Sequence, residues 1–255
     1  MTARHYGWLP PPEGHRGART RATPDELLTL PPAVELAHVP AVTDQGPLGS
    51  CTGHAVACAV GVRLLAQRVG AWLPSPLDLY LGARALEGTV DRDAGALLAD
   101  VLRHAEREGI APDEMWPHAA AGPSFRGPAP PMVTSTRGRT RLVTHAPLDW
   151  HIDTLRWELA CGYPVVLGVR TFAALAAVGP DGAIPMPECP AVGGHAMCVV
   201  GYDDARRALR VQNSWGTSWG AAGRAWLPYA YALNPFWCGE LHAVRVVRRA
   251  EDPTP

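Results

Sequence analysis

The stretch "TDQGPLGSCTGHAV", Thr43 to Val56, sets a cysteine directly behind a Gly-Ser turn and at the head of an apolar run. Ser50 stands where an N-cap belongs. From Cys51 to about Val69 the sequence "CTGHAVACAVGVRLLAQRV" is apolar on nearly every side, which predicts a buried central helix beginning at the cysteine. A thiol at a helix N-terminus meets unpaired backbone N–H groups and the positive end of the helix dipole, and both favour the thiolate, the nucleophilic form. A lone cysteine in an Ala-rich helix is nevertheless more often packing than chemistry. Cys51 therefore needs partners elsewhere in the chain.

Outward from this helix, "SPLDLYLGARALEG" and "GALLADVLRHAEREG" read as two more helices, the second closed by Gly109. After the loop "WPHAAAGPSFRGPAPP" the texture changes to short β-type runs: "RTRLVTH", "YPVVLGV", "HAMCVVGYDD", "ALRVQNSW", "GRAWLPY" and "LHAVRVVRR". One helix, "LDWHIDTLRWELACG", interrupts them, and an Asp203-Asp204 turn makes a hairpin of "MCVVGY" and "ALRVQNSW". Helices followed by antiparallel strands give an α+β arrangement with a cleft between the two parts. Before all of this, residues 1 to about 32 are rich in Pro, Gly, Arg and Thr and read as an extended arm, with a short helix at "TPDELLTL".

Composition narrows the function. In a chain of 255 residues a formal net charge of -1 argues against a broad basic face for nucleic acid or an anionic membrane, so function is to be sought in a site. All of the positive side chains are arginine or histidine, as a GC-rich coding sequence would give. No apolar run has the length of a signal peptide core or a membrane span, which makes a cytoplasmic location the default and leaves signal-independent export open. Six cysteines without a CxxC pair read as reduced thiols.

The partners Cys51 needs are present. His195, in "GGHAMCVVGY", starts a strand after two glycines that let another backbone approach. Asn213, in "VQNSWGTSWG", follows on the neighbouring strand of the hairpin, which can bring it beside His195. A thiol nucleophile needs an imidazole to take its proton, and the imidazole needs a third group to orient it. Gln45, across the Gly-Pro-Leu-Gly-Ser turn from Cys51, can join the Cys51 backbone N–H as a donor to a tetrahedral oxyanion.

The motifs "DQGPLGSC", "GGHAMCVVGYDD" and "QNSWGTSWG" closely resemble the papain-type cysteine peptidases, and His195 and Asn213 follow Cys51 in that family's order. The resemblance is to bacterial members, whose helical lobe "LYLGARALEGTVDRDAGALLADVLRHAEREGIAPDEMWPHA" also resembles. It implies a papain-like two-lobed fold, with an arm over residues 1–43, a helical L lobe over 44–131 and a β-barrel-like R lobe over 132–255. It implies an endopeptidase working through a thioester, with Cys51 as nucleophile, His195 as acid and base, Asn213 as the orienting group, Gln45 in the oxyanion hole and Trp215 shielding the His–Asn hydrogen bond. It places Asp93, Ala94 and Gly95 on the cleft wall that binds extended substrate backbone, and Gly193 and Gly194 beside the S2 region, with the pocket floor near Trp237 or Cys238.

Two departures stand out: Leu48 replaces a disulfide cysteine of many secreted relatives, and Thr52 replaces the usual aromatic after the nucleophile. No cofactor is implied, and the expected partner of a monomeric enzyme is a protein or peptide substrate. The arm, with Tyr6 and Trp8, is expected to lie over the cleft and limit access as an intramolecular regulator. The same residues also suit a papain-like acyl or peptidyl transferase or ligase, and a silent binding domain would keep the fold without needing all four groups. A zinc site built from Cys51, His54 and Cys58 is a weaker reading, because the other pair, His195 and Cys198, points to opposite faces of a strand.

Overall fold

The computed structural model describes residues 6–12, 30–68, 72–118, 129–137, 140–188 and 190–249; Cys189 and, but for its last residue Leu30, the helix expected at "TPDELLTL" lie outside them. The central helix α1 runs Cys51–Ala66, three residues short of the expected end, because Arg68 takes a left-handed φ of 55° and turns the chain away. Ser50 precedes it, but with ψ 18° its side chain is not aimed at the orphan amides and does not cap them. Its hydroxyl pairs instead with His118 Nε2 at 2.8 Å.

Helix α2 (Pro76–Leu86) starts with proline in its first turn, and Ser75 Oγ accepts from Asp78 N at 3.1 Å, a true N-cap. Helix α3 (Leu98–Arg107) ends as expected, with Gly109 at φ 83°. Helix α4 (Pro131–Arg137), in what reads as loop, is a short turn that the β-branched residues of "PMVTSTR" conceal. Its hydroxyls fold back on the preceding carbonyls, Thr134 to Pro131 at 2.9 Å and Thr136 to Val133 at 2.7 Å. Helix α5 (Ile152–Ala160) begins four residues after Leu148, whose N–H is taken by Leu241 O at 2.8 Å, and a single turn, α6, covers Tyr229–Ala232.

Seven strands, β1 (Ala33–Glu35), β2 (Thr140–Pro147), β3 (Val165–Thr171), β4 (Gly193–Asp203), β5 (Ala208–Gln212), β6 (Arg224–Pro228) and β7 (Cys238–Arg249), form one sheet. Its order is β2-β7-β3-β4-β5-β6 with β1 on β4, and every pairing is antiparallel. The β4–β5 hairpin closes at Asp203–Ala208, where the Asp-Asp turn was expected. The result is the α+β class, with helices and an antiparallel sheet in one molecule.

Strand β4 is the wall between two cores. Ala196, Cys198 and Val200 face a helical core with Val56, Val60, Leu79 and Leu102. Met197 and Val199 face a second core with Leu167, Leu209, Trp215 and Leu227. A strand sends alternate side chains to opposite faces, so an apolar run buried on both sides is what this position demands. No helix among the described residues is long and apolar enough to cross a membrane.

A polar anchor lies inside the helical part. Asp78 is buried, accepts from Ala111 N at 2.9 Å and from Arg137 Nε at 2.7 Å, and has His104 Nε2 at 3.8 Å. Burial pushes its pKa up, but the His104 and Arg137 interactions outweigh burial and leave it below the usual carboxylate value. A depressed folded-state pKa contributes stability above the unfolded value of about 4, and that contribution is lost as pH falls through the folded value. Asp78→Ala should cost about 3 kcal/mol near neutral pH, since it leaves Arg137 and Ala111 N–H without their acceptor. In urea titrations the difference from the parent chain should shrink on acidification; a loss that does not vary with pH would contradict the assignment.

Candidate active site

The loop before Cys51 and the loop after β5 are laced together. Gln45 N donates to Ser214 O at 2.8 Å, Gly216 N donates to Thr43 O at 3.0 Å, and Ser214 Oγ donates to Gln45 Oε1 at 2.7 Å. With its oxygen engaged, Gln45 must direct its amide hydrogens the other way, and Nε2 donates to Leu48 O at 2.9 Å. Gln45 is thereby held, fully buried, six positions ahead of Cys51.

His195 and Asn213 meet as the hairpin requires, His195 Nε2 lying 2.7 Å from Asn213 Oδ1. The amide orientation is fixed independently, because Ser214 N–H donates to the same Oδ1 at 2.8 Å and a backbone N–H must find an oxygen. An oxygen that only accepts obliges Nε2 to carry the hydrogen. In the neutral ring Nδ1 then holds the lone pair and is the basic atom. Trp215 lies against the imidazole, ring centroids 4.4 Å apart and tilted by 33°, and is itself buried.

Cys51 is the first residue of α1 and fully buried. The backbone N–H groups of Ala196, Gly7, Thr52 and Trp8 act on its sulfur, and each lowers the pKa. Burial outweighs them and pushes the thiol up to about 11. Burial thus opposes the thiolate expected from the helix terminus, and Gly7 and Trp8, from the N-terminal segment, are among the groups around the sulfur.

That segment is the arm. Trp8 N donates to Gly194 O at 3.0 Å, while Ala96 N donates to Gly7 O at 2.8 Å and Leu9 N to Ala96 O at 3.1 Å, so residues 7–9 run between two backbone edges. Tyr6 places its ring edge-on to His195 and Trp215, at 6.4 and 6.1 Å between centroids. Trp8 is 2% exposed and its indole Nε1 donates to Glu240 Oε2 at 2.8 Å. The indole fits because its neighbours lack side chains: a Cβ on Gly168 would lie 2.1 Å from Nε1, and one on Gly194 2.6 Å from Cε3.

The residues expected to bind substrate divide in two. Gly194 offers its carbonyl and Gly193 abuts Tyr6. On the opposite wall the paired backbone belongs to Ala96, one residue beyond the expected stretch, whereas Gly95 at φ 76° leaves room for the Gly7 carbonyl. Asp93 is turned inward: its carboxylate accepts from Gly49 N at 2.9 Å and from the Tyr80 hydroxyl, bracing the turn before Cys51. The polar end of the Trp8 pocket is Glu240, whose carboxylate takes the indole hydrogen. Nothing in "CGELHAV" singles out that carboxylate until β3, β4 and β7 are assembled around it.

On the other side of α1 a cavity of about 270 Å³ is bordered by His54, Cys58, His118, Gln212 and Asn213. His54 Nδ1 meets Thr43 Oγ1 at 2.8 Å, and its ring stands edge-on to His118 at 4.5 Å. Burial, then the two neighbouring imidazoles, hold His54 well below its ordinary pKa, so it is neutral and does not act as a charge partner for Cys51. Among the described residues no group of three or more His, Cys, Asp or Glu side chains is arranged to hold a metal ion.

A thiol at a helix start, an imidazole of defined tautomer, an orienting amide and a locked glutamine form a set suited to nucleophilic acyl transfer. Residues 33–234 match the papain family of cysteine proteases. The chain is 30% identical over 222 residues, 82% of its length and 69% of the relative's, to an uncharacterized peptidase C1-like protein of Acanthamoeba polyphaga mimivirus. Its fold is similar to that of xylellain, a cysteine protease from Xylella fastidiosa, with a TM-score of 0.84, 29% identity, and 97% and 99% of the two chains covered. It is also similar to procathepsin B S9 from Trypanosoma congolense, with a TM-score of 0.73, 18% identity, and 96% and 87% covered.

The raised thiol has a measurable consequence. In the full-length chain, alkylation of Cys51, followed by peptide mass spectrometry, should keep accelerating as pH rises toward about 11, where an ordinary thiol near pH 8.5 would already have levelled off. A rate already at its plateau near neutral pH would contradict the buried, protonated resting state.

Proposed function

The chain belongs to the papain family of cysteine peptidases and is a hydrolase, and on that basis we propose that it cleaves peptide bonds through a thioester formed on Cys51. His195 Nδ1 takes the thiol proton, the sulfur attacks the peptide carbonyl, and Gln45 Nε2 with the Cys51 N–H holds the oxyanion. His195 then protonates the leaving amine, and afterwards activates the water that cleaves the thioester. Asn213 keeps the imidazole in the tautomer this cycle needs, and Trp215 excludes water from their hydrogen bond. In this reading the helical lobe, residues 44–131, carries the nucleophile and the oxyanion donor, and the β-rich lobe, residues 132–255, carries the base. The observation that supports it best is the double hydrogen bond to Asn213 Oδ1, which leaves Nδ1 as the only basic ring atom.

The arm, residues 1–43, is proposed as the regulator. While Trp8 sits on Glu240 and Gly7 pairs with Ala96, a peptide cannot use the same backbone edges, and Cys51 stays buried and protonated. Release exposes the sulfur, lowers the desolvation cost of the thiolate and frees the glycine-walled pocket for a substrate side chain.

A chain beginning at Pro31 keeps β1 and the Pro31 carbonyl that accepts from the Tyr202 hydroxyl at 2.6 Å. It should hydrolyse a fluorogenic peptide about tenfold faster than the full chain or better, because the competent state is no longer a minor one. Equal rates would refute regulation by the arm without touching the mechanism. In that active chain Cys51→Ala should abolish turnover and Asn213→Ala should lower kcat roughly 10- to 100-fold; full activity of the cysteine variant would refute the mechanism.

A further inference from the structure

Two cysteines outside the proposed catalytic set come together where α1 crosses β4. Cys58 lies two helical turns beyond Cys51, and Cys198 lies three residues beyond His195. Cys198 points with Ala196 and Val200 into the helical core, against which Cys58 packs from the helix. Gln212 joins them: it is the register partner of Cys198 across the β4–β5 ladder, and its Nε2 lies 3.5 Å from Cys58 Sγ. Burial, and after it the neighbouring Cys58 thiol, hold Cys198 well above its ordinary pKa. Both are free thiols. Cys198 is fully buried, whereas Cys58 is half-buried and borders the cavity of about 270 Å³ behind α1.

We propose that Cys58 and Cys198 are a modification site, a thiol pair that a low-molecular-weight disulfide such as glutathione disulfide converts into a bond between α1 and β4. The oxidant reaches Cys58 from the cavity. The Cys58 thiolate attacks one sulfur of the oxidant, expels one molecule of glutathione and leaves a mixed disulfide. Cys198 gives up its proton and attacks Cys58 Sγ, expelling the second glutathione. Two protein thiols are oxidised and one disulfide is reduced to two thiols, so atoms and electrons balance.

The second step is the slow one, because the buried Cys198 deprotonates reluctantly. The bond closes a loop of 140 residues (198 − 58) and ties the helix that begins at Cys51 to the strand that carries His195. It does not depend on the proposed reaction, since neither cysteine belongs to it.

The test uses the full-length chain with Cys51→Ala, which removes the competing thiol at the helix start. After incubation with glutathione disulfide and alkylation of remaining thiols, the mass should fall by two hydrogen atoms and digestion should release the Cys58 and Cys198 peptides joined. Dithiothreitol should reverse both changes, and the linked form should melt roughly 10 °C higher than the reduced one. In Cys198→Ser the reaction should stop at a glutathione adduct on Cys58, and in Cys58→Ser Cys198 should stay unmodified, so one control survives if the other variant does not fold. A persistent adduct in the chain with both cysteines, pairing with Cys161, Cys189 or Cys238, or no reaction at all would overturn the proposal.

Discussion

Strand β4 belongs to two hydrophobic cores at once, and the rest of the molecule is arranged around that constraint. Ala196, Cys198 and Val200 are buried with the helices, and Met197 and Val199 with the remaining strands. A slip of one residue would exchange the two sets and put His195 on the wrong side. With the register fixed, the Ala196 N–H faces the sulfur at the start of α1, while His195 turns to Asn213 and Trp215. The laced loops around Gln45 and Ser214 fix the remaining coordinate, the distance of the Cys51 turn from the hairpin.

Within this frame the state of Cys51 is a contest between two effects. The helix terminus and four nearby amides favour the thiolate, and removal from water disfavours it. Two of those amides, of Gly7 and Trp8, belong to the arm that also covers the sulfur. The arm therefore contributes on both sides, and burial wins because a charged sulfur without water loses more than a few amide dipoles return.

Much of this was legible in the sequence, for identifiable reasons. The start of α1, the β4–β5 hairpin and the grouping of Gln45, Cys51, His195 and Asn213 rest on local signals: a turn ahead of an apolar run, an Asp-Asp corner, motifs of fixed order. What escaped depends on side-chain direction or on segments distant in the chain. Ser50 fails to cap because its ψ turns it toward His118. The Asp93 carboxylate folds back on Gly49 and Tyr80, a bracing role that its place in the motif does not announce. The pocket of Glu240 exists only when Gly168, Gly194 and Gly239 converge from three strands, and no spacing in the sequence announces that meeting. Burial of Cys51 depends on segments distant in the chain and is not a local property of "GSCTGH".

The central claim is that the arm occupies the site in competition with substrate and is seated by the Trp8 indole on Glu240. The most direct measurement is inhibition of the chain beginning at Pro31 by a synthetic peptide spanning Tyr6 to Pro12, with and without Trp8→Ala. Competitive inhibition that weakens about tenfold or more without the indole is the predicted result. A peptide that does not inhibit, or that inhibits equally well without Trp8, would contradict the claim.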